Sequence, residues 1–402
     1  SKRALLIGIN EYRANDPDQR PAAAGTWIPE DLQGAINDIS LMEQVLTSRF
    51  GFEKGNIQRL EDANATRSAI LGTLESFVAA TGPDDIVYIH FSGHGSQVED
   101  QDGDEPDGKD ETILSHDART DGVADITDDE LNRIFAGLAS PNSLIVLDSC
   151  HSGTATRGSS ALKTRAVPLD PRDELYRGQE TNDPGTPGQV KYLLMTGAAD
   201  YQSALDGPLD EGRYYGLFTL SLGRSLGRIP TGSTANELHA EARREMERIG
   251  GEFGLFAVPE AQLEGNASRM ARGLLGESPG LARRNATRLA WTELTPDAGG
   301  QVRMQGARKL AARKGSVWAV YPPGEEQFAP GQALGLVTVR SLDGDDAIAE
   351  AGPGVQVPNA GRAVHLLAAP AENRVSIRLV RMDENLKANL ASAVHGARGG
   401  QA

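Results

Sequence analysis

Phe91-Ser92-Gly93-His94-Gly95 and Asp148-Ser149-Cys150-His151-Ser152-Gly153 decide how this chain of 402 residues is read. Each stretch closes an apolar, β-branched run of strand length, Ile86–Ser92 in the first case and Leu144–Asp148 in the second. Open α/β sheets form their sites at the carboxyl ends of strands, so a thiol and an imidazole on neighbouring strands can meet there. A neutral thiol is a poor nucleophile. An adjacent imidazole can take its proton, the sulfur then attacks a carbonyl carbon, and the imidazolium protonates the leaving amine. Gly93 and Gly95 flank His94 without side chains and let a substrate backbone approach, while the N–H groups of Gly95 and Cys150 suit a developing oxyanion.

Two plainer readings compete with this one. A lone cysteine after a buried strand also serves as a small inert hydrophobe. His151, next to Cys150, is a rival base. A sequence neighbour on an extended segment points to the opposite side, however, which favours His94.

Working outward, Ala4–Ile9 and Tyr192–Thr196 are further strand candidates. Leu32, Ile36, Ile39, Met42 and Leu46 recur at helical spacing, as do Ile70, Leu74 and Phe77 within Ser68–Ala79. The alternation predicts an α/β fold with a mostly parallel sheet flanked by helices. Residues 154–190, rich in Gly, Pro, Ser and charge, interrupt it as a long loop, and an insert of that length in a compact domain is functional or disordered. The segments Tyr214–Leu226 and Ala235–Ile249 resume the strand and helix pattern. After a Gly/Arg-rich linker at 276–288 the character changes: Val317–Tyr321, Leu334–Val339, Ala363–Leu367 and Val375–Leu379 are short runs between Gly/Asp/Pro turns. They predict a small β-rich C-terminal domain over 289–402, ending in a helix near Glu384–Val394.

Composition excludes several classes. Forty basic against 56 acidic residues leave a net charge of −16, which argues against phosphate-backbone binding and hence against a nucleic-acid partner. One cysteine rules out an internal disulfide and a cysteine-based zinc site. No run approaches the about 18 apolar residues of a membrane span. The expectation is a cytoplasmic protein, with a leader ahead of Ser1 left open.

The two opening stretches, together with Ala4-Leu5-Leu6-Ile7-Gly8-Ile9-Asn10, Gly34-Ala35-Ile36-Asn37-Asp38, the acidic run Asp102–Glu111, Asp125-Ile126-Thr127-Asp128-Asp129-Glu130 and Gln262-Leu263-Glu264-Gly265, resemble the caspase-fold cysteine peptidases. The resemblance is to type I metacaspases and their bacterial relatives, the orthocaspases, and covers about residues 1–275. It implies a large portion to about residue 153, a joining loop, and a small portion over 191–275. It also implies a Cys150–His94 dyad with no cofactor needed for the chemistry. The family's pocket for the residue before the scissile bond maps onto Asp38, Ser92, Asp148 and Ala35, with Asp200 as a cleft wall. Converging carboxylates favour a guanidinium or ammonium, so the expected cleavage is after Arg or Lys in protein or peptide substrates.

Many metacaspases are activated by calcium, and the matching ligand positions are Asp110, Asp128 and Asp129. The family's fourth ligand is missing near Arg157. The run Glu99–Glu111 only partly mimics an EF-hand loop: Glu105 stands where Gly is needed, and no helices are expected beside it. The joining loop offers Arg157, Lys163, Arg165, Arg172 and Arg177 as processing sites, for the enzyme itself or an upstream protease. Relatives are often monomeric, and a monomer is expected here. The alternative is a catalytically idle caspase-like scaffold that recruits a partner through its acidic surface and β domain.

Overall fold

Alternation along the first strand, β1 (Lys2–Gly8), sets the layering. Ala4 and Leu6 enter one buried layer, and Leu5 and Ile7 the other, because successive side chains of a strand point to opposite faces. The computed structural model describes residues 1–18, 27–100, 105, 108–150, 162–170, 172–176, 191–199, 202–230, 232–255, 257–265, 267–270, 273–276, 291–297, 301–310, 312–325, 333–352 and 354–367.

In chain order, β1 is followed by α1 (Ala35–Phe50), β2 (Ile57–Glu61), α2 (Arg67–Ala79), β3 (Ile86–Ser92), β4 (Gly95–Glu99), β5 (Lys109–Ile113), β6 (Ile126–Thr127), α3 (Asp128–Phe135) and β7 (Ser143–Asp148). Then come β8 (Lys163–Thr164), the single turn α4 (Asp173–Tyr176), β9 (Leu193–Thr196), β10 (Leu205–Asp210), β11 (Arg213–Gly216), α5 (Leu217–Arg228), α6 (Ala235–Glu252) and β12 (Gln262–Gly265). A six-stranded sheet runs β12-β9-β7-β3-β1-β2, parallel throughout except for β12. Helices α1, α5 and α6 bury their apolar faces on one side, and α2 and α3 on the other. The expected mixed fold is therefore present.

Register matters for the site. Gly8 pairs with Ser92, and Ser92 with Asp148, so the ends of β1, β3 and β7 lie side by side at the carboxyl edge. Two small sheets stand beside that edge: β4-β5-β6, and β11-β10-β8. The β8 strand and its continuation belong to the segment read as a long loop, and the described part of that segment is built into the fold.

The C-terminal strands β13 (Trp291–Pro296), β14 (Gln301–Met304), β15 (Val317–Tyr321), β16 (Gly335–Asp343), β17 (Asp346–Ala351) and β18 (Gly361–Leu367) close a barrel in the order β13-β14-β17-β16-β15-β18. Closure pairs every edge strand. The barrel interior, including Leu294, Met304, Trp318 and Val337, is continuous with the apolar layer of α1, α5 and α6. Accordingly Ser1–Ala368 forms one compact unit. The expected strand Val375–Leu379, the expected helix Glu384–Val394 and the linker beyond Gly276 lie outside the described residues.

Candidate active site

His94 follows β3 and is almost fully buried. Its Nε2 lies 2.7 Å from the carbonyl oxygen of Glu30. A carbonyl only accepts, so Nε2 carries the proton and Nδ1 of the neutral ring is left basic. Nδ1 has no hydrogen-bond partner among the described residues. The His94 N–H donates to the Tyr12 hydroxyl at 2.7 Å, and the two rings lie 4.9 Å apart between centroids. Burial lowers the His94 pKa and keeps the ring neutral.

Cys150 follows β7 and is fully buried; its Sγ donates to the Ala204 carbonyl at 3.2 Å. Burial, reinforced by the Asp148 charge, pushes its thiol up to about 12. Thiol and imidazole are thus both neutral. The rival base His151 and the cleft-wall candidate Asp200 lie outside the described residues.

Arg165 occupies the pocket expected for a substrate side chain. Its guanidinium is completely buried. Nη2 donates to Asp38 Oδ2 at 2.7 Å and to Asp206 Oδ1 at 2.8 Å. Nη1 donates to Ser92 Oγ at 2.7 Å and the Asp148 carbonyl at 3.0 Å, with Asp148 Oδ2 at 3.2 Å. The backbone of the same segment runs through the cleft as a peptide would. The Arg165 N–H donates to Ala204 O at 3.0 Å, Arg165 O accepts from Gly95 N at 2.9 Å, and Val167 N donates to Gly95 O at 2.9 Å.

The pocket is held from several elements. Asp38, in the first turn of α1, accepts from Ser92 Oγ at 2.6 Å and from the Gly216 N–H at 3.0 Å. Burial raises its pKa, Arg165 pulls it back, and Asp148 adds to the rise; the net shift is upward. Asp148 Oδ2 accepts from the Thr219 N–H at 2.9 Å and its hydroxyl at 2.6 Å, at the start of α5. A Cβ on Gly216 would come within 2.3 Å of Asp148 Oδ2, and one on Gly95 within 2.2 Å of the Cys150 carbonyl oxygen, so neither position admits a side chain without movement. Ala35 is buried at the start of α1, its N–H donating to Asn10 Oδ1 at 2.9 Å.

Sequence reasoning missed Asp206, Gly216, Glu30 and Tyr12. Asp206 sits in Leu205–Asp210, where it resembles any polar residue of a short hairpin. Among the described processing candidates Lys163, Arg165 and Arg172, only Arg165 reaches the pocket. Lys163 pairs with Glu30 at 3.2 Å, and Arg172 with Asp170 at 2.8 Å and Asp121 at 3.0 Å. Arg157 and Arg177 lie outside the described residues.

A second acidic group joins the hairpin that begins at Gly95 to the first residue of α3. Ligand atoms of Glu105, Glu111 and Asp128 lie within 4.8 Å of one another. Of the expected ligands, Asp128 is in this trio, and Asp110 and Asp129 are close enough to act on its charge. Burial first, then Glu111, Asp129, Asp110 and Glu105, raise the Asp128 pKa to about 9. Its Oδ1 is buried without a hydrogen-bond partner among the described residues. Crowded carboxylate oxygens with an orphaned acceptor fit a hard divalent cation. The acidic run is flanked by β4 and β5, not by helices.

Residues 2–157 match the family described as metacaspase, peptidase C14 domain. The chain is 32% identical over 179 residues to a Metacaspase-1 of Eremothecium gossypii, covering 42% of this chain and 36% of that protein. It is 35% identical over 186 residues to a Metacaspase-1 of Botryotinia fuckeliana, covering 44% and 41%. Thus the chain spans about two fifths of the length of these curated relatives. Among solved structures, a protein of Geobacter sulfurreducens is similar at 25% identity and a TM-score of 0.48, over 67% of this chain and 97% of that one. Caspase-1 of Spodoptera frugiperda is similar at 11% identity and a TM-score of 0.43, over 69% and 90%. Residues 2–157 are thus similar to the metacaspase peptidase C14 domain, and the similarity to curated metacaspases extends over about two fifths of this chain.

Proposed function

We propose that this protein is a cysteine endopeptidase that cleaves after basic residues, and that its own Arg165–Ala166 bond is its first substrate. The observation that carries this reading is the seating of Arg165: side chain among Asp38, Asp148 and Asp206, carbonyl on the Gly95 N–H. In the proposed step, His94 Nδ1 takes the proton of Cys150, and Sγ adds to the Arg165 carbonyl carbon while the Gly95 N–H holds the oxyanion. The C–N bond to Ala166 breaks, and the imidazolium gives its proton to the leaving amine. Water, deprotonated by His94, then hydrolyses the thioester and frees Sγ. The described state precedes proton transfer, since Sγ still donates to Ala204 O.

Because Arg165 is buried and tethered in the cleft, the proposed first cut falls to this molecule itself rather than to an upstream protease. Leaving the pocket then admits Arg or Lys of other proteins. Calcium at Glu105, Glu111 and Asp128 is the proposed activator, with Asp110 and Asp129 contributing charge. It would cancel carboxylate repulsion on the hairpin that starts at Gly95 and steady the oxyanion donor.

Fluorogenic peptides ending in Arg, Lys or Asp, assayed with and without calcium, test the reading against the Cys150→Ala protein. Hydrolysis of Arg and Lys peptides by wild type alone is expected. Silence under every condition would favour the scaffold reading, and a preference for Asp would defeat the pocket assignment.

A further inference from the structure

Behind the pocket, a chain of buried ion pairs leads into the barrel. Asp210 ends β10, the strand that carries Asp206, and the turn into β11 passes through Glu211 and Gly212, at φ of 49° and 87°. Arg308, from the barrel's turn Ala307–Leu310, grips this turn. Its Nε donates to Asp210 Oδ2 at 3.0 Å, and its Nη2 to the carbonyls of Asp210 at 2.6 Å and Glu211 at 3.2 Å. The other Asp210 oxygen accepts from Arg224 on α5. That helix opens at Gly216 and holds Asp148 through Thr219. One buried carboxylate therefore joins the barrel, the strand of Asp206 and the helix that orients Asp148.

We infer that Arg308 is a positioning residue for the specificity pocket, through which the barrel holds β10–β11 and α5 in register around a bound guanidinium. This rests on the peptidase reading above. The reason lies in what the self-substrate contributes. The small sheet β11-β10-β8 has three strands only while β8, part of the segment that carries Arg165, remains docked. When that segment leaves, β10 and β11 are a two-stranded hairpin, which is marginal by itself. Its Asp206 must nevertheless stay beside Asp38 and Asp148, against their mutual repulsion. Arg308 at the turn, with Arg224 beneath, supplies a fixed anchor that does not depart with the substrate. Arg213 and Lys309, both paired with Asp345, reinforce the same seam.

The test uses the full chain as wild type, Arg308→Ala and Arg308→Lys, with an Arg-ended fluorogenic peptide and, separately, the rate of Cys150 alkylation after self-cleavage. Arg308→Ala is expected to raise KM about tenfold with kcat and the alkylation rate near wild type, and Arg308→Lys to recover part of the loss. Should Arg308→Ala not fold, Arg308→Lys retains a cation beside Asp210, and an intermediate KM from it carries the same conclusion. Unchanged KM in a folded variant, or a fall in kcat and alkylation together, overturns the inference as a merely structural effect. Inactivity of the wild type under all conditions overturns the peptidase reading along with it, whereas wild-type activity with unchanged KM overturns this inference alone.

Discussion

The N–H of Gly95 donates to the carbonyl oxygen of Arg165 at 2.9 Å. The guanidinium of Arg165 is meanwhile buried among the carboxylates of Asp38 and Asp206. The polypeptide thus occupies its own cleft from both sides of Arg165, Lys163–Thr164 pairing with β10 and Val167 bonding to Gly95.

The first consequence concerns the fragments. N-terminal sequencing of the wild-type products should give a chain beginning at Ala166, absent from Cys150→Ala. Arg165→Ala should lose this fragment. A first cut after Arg157 or Arg177, with the Arg165–Ala166 bond intact, would contradict the geometry.

Arginine should be preferred to lysine. Nη2 bridges Asp38 and Asp206 while Nη1 serves Ser92 and Asp148, so both arms of a planar fork are used. A single ammonium leaves at least one buried carboxylate unpaired. The expected deficit in kcat/KM for Lys peptides is about 10- to 100-fold. Asp206→Asn should shrink that gap, as measured on matched Arg and Lys peptides.

Cys150 should resist alkylation in the uncut chain. Its thiol is buried and pushed up to about 12, so little thiolate is present near neutrality. Opening the pocket with Arg165→Ala should speed modification by iodoacetamide at least about tenfold. Time-resolved mass spectrometry reads the difference, and equal rates would show that the Arg165 segment does not shield the sulfur.

Asp128 makes the acidic cluster sensitive to pH. With its pKa raised to about 9, the folded protein holds a proton that the unfolded chain releases near the ordinary value of about 4. The stabilising contribution is therefore complete below about pH 4 and drains away as pH rises through 9. Calcium would take the place of that proton. Thermal unfolding should show a larger calcium-induced rise in Tm at pH 8.5 than at pH 6, by a few degrees (on the order of 1 kcal/mol). Asp128→Asn should abolish the difference, and a calcium shift independent of pH would remove Asp128 from the site.

Short-range pattern determined much of this protein. Alternation and β-branching mark β1, β3, β7 and β9, since a strand buried on both faces needs apolar residues throughout. Helical spacing marks α1 and α2, and the two motifs at strand ends put Ser92, His94, Asp148 and Cys150 at one sheet edge. The structure brings Asp38, Ser92 and Asp148 around the guanidinium of Arg165. Only the tertiary structure singled out Arg165 among the described basic residues of the joining segment, added Asp206 to the pocket, and merged the barrel with the core. Each of these is a contact between residues far apart in the chain. Whether a charge lies on the surface or is buried among opposite charges is decided by the element packed over it, and residue type alone does not carry that information.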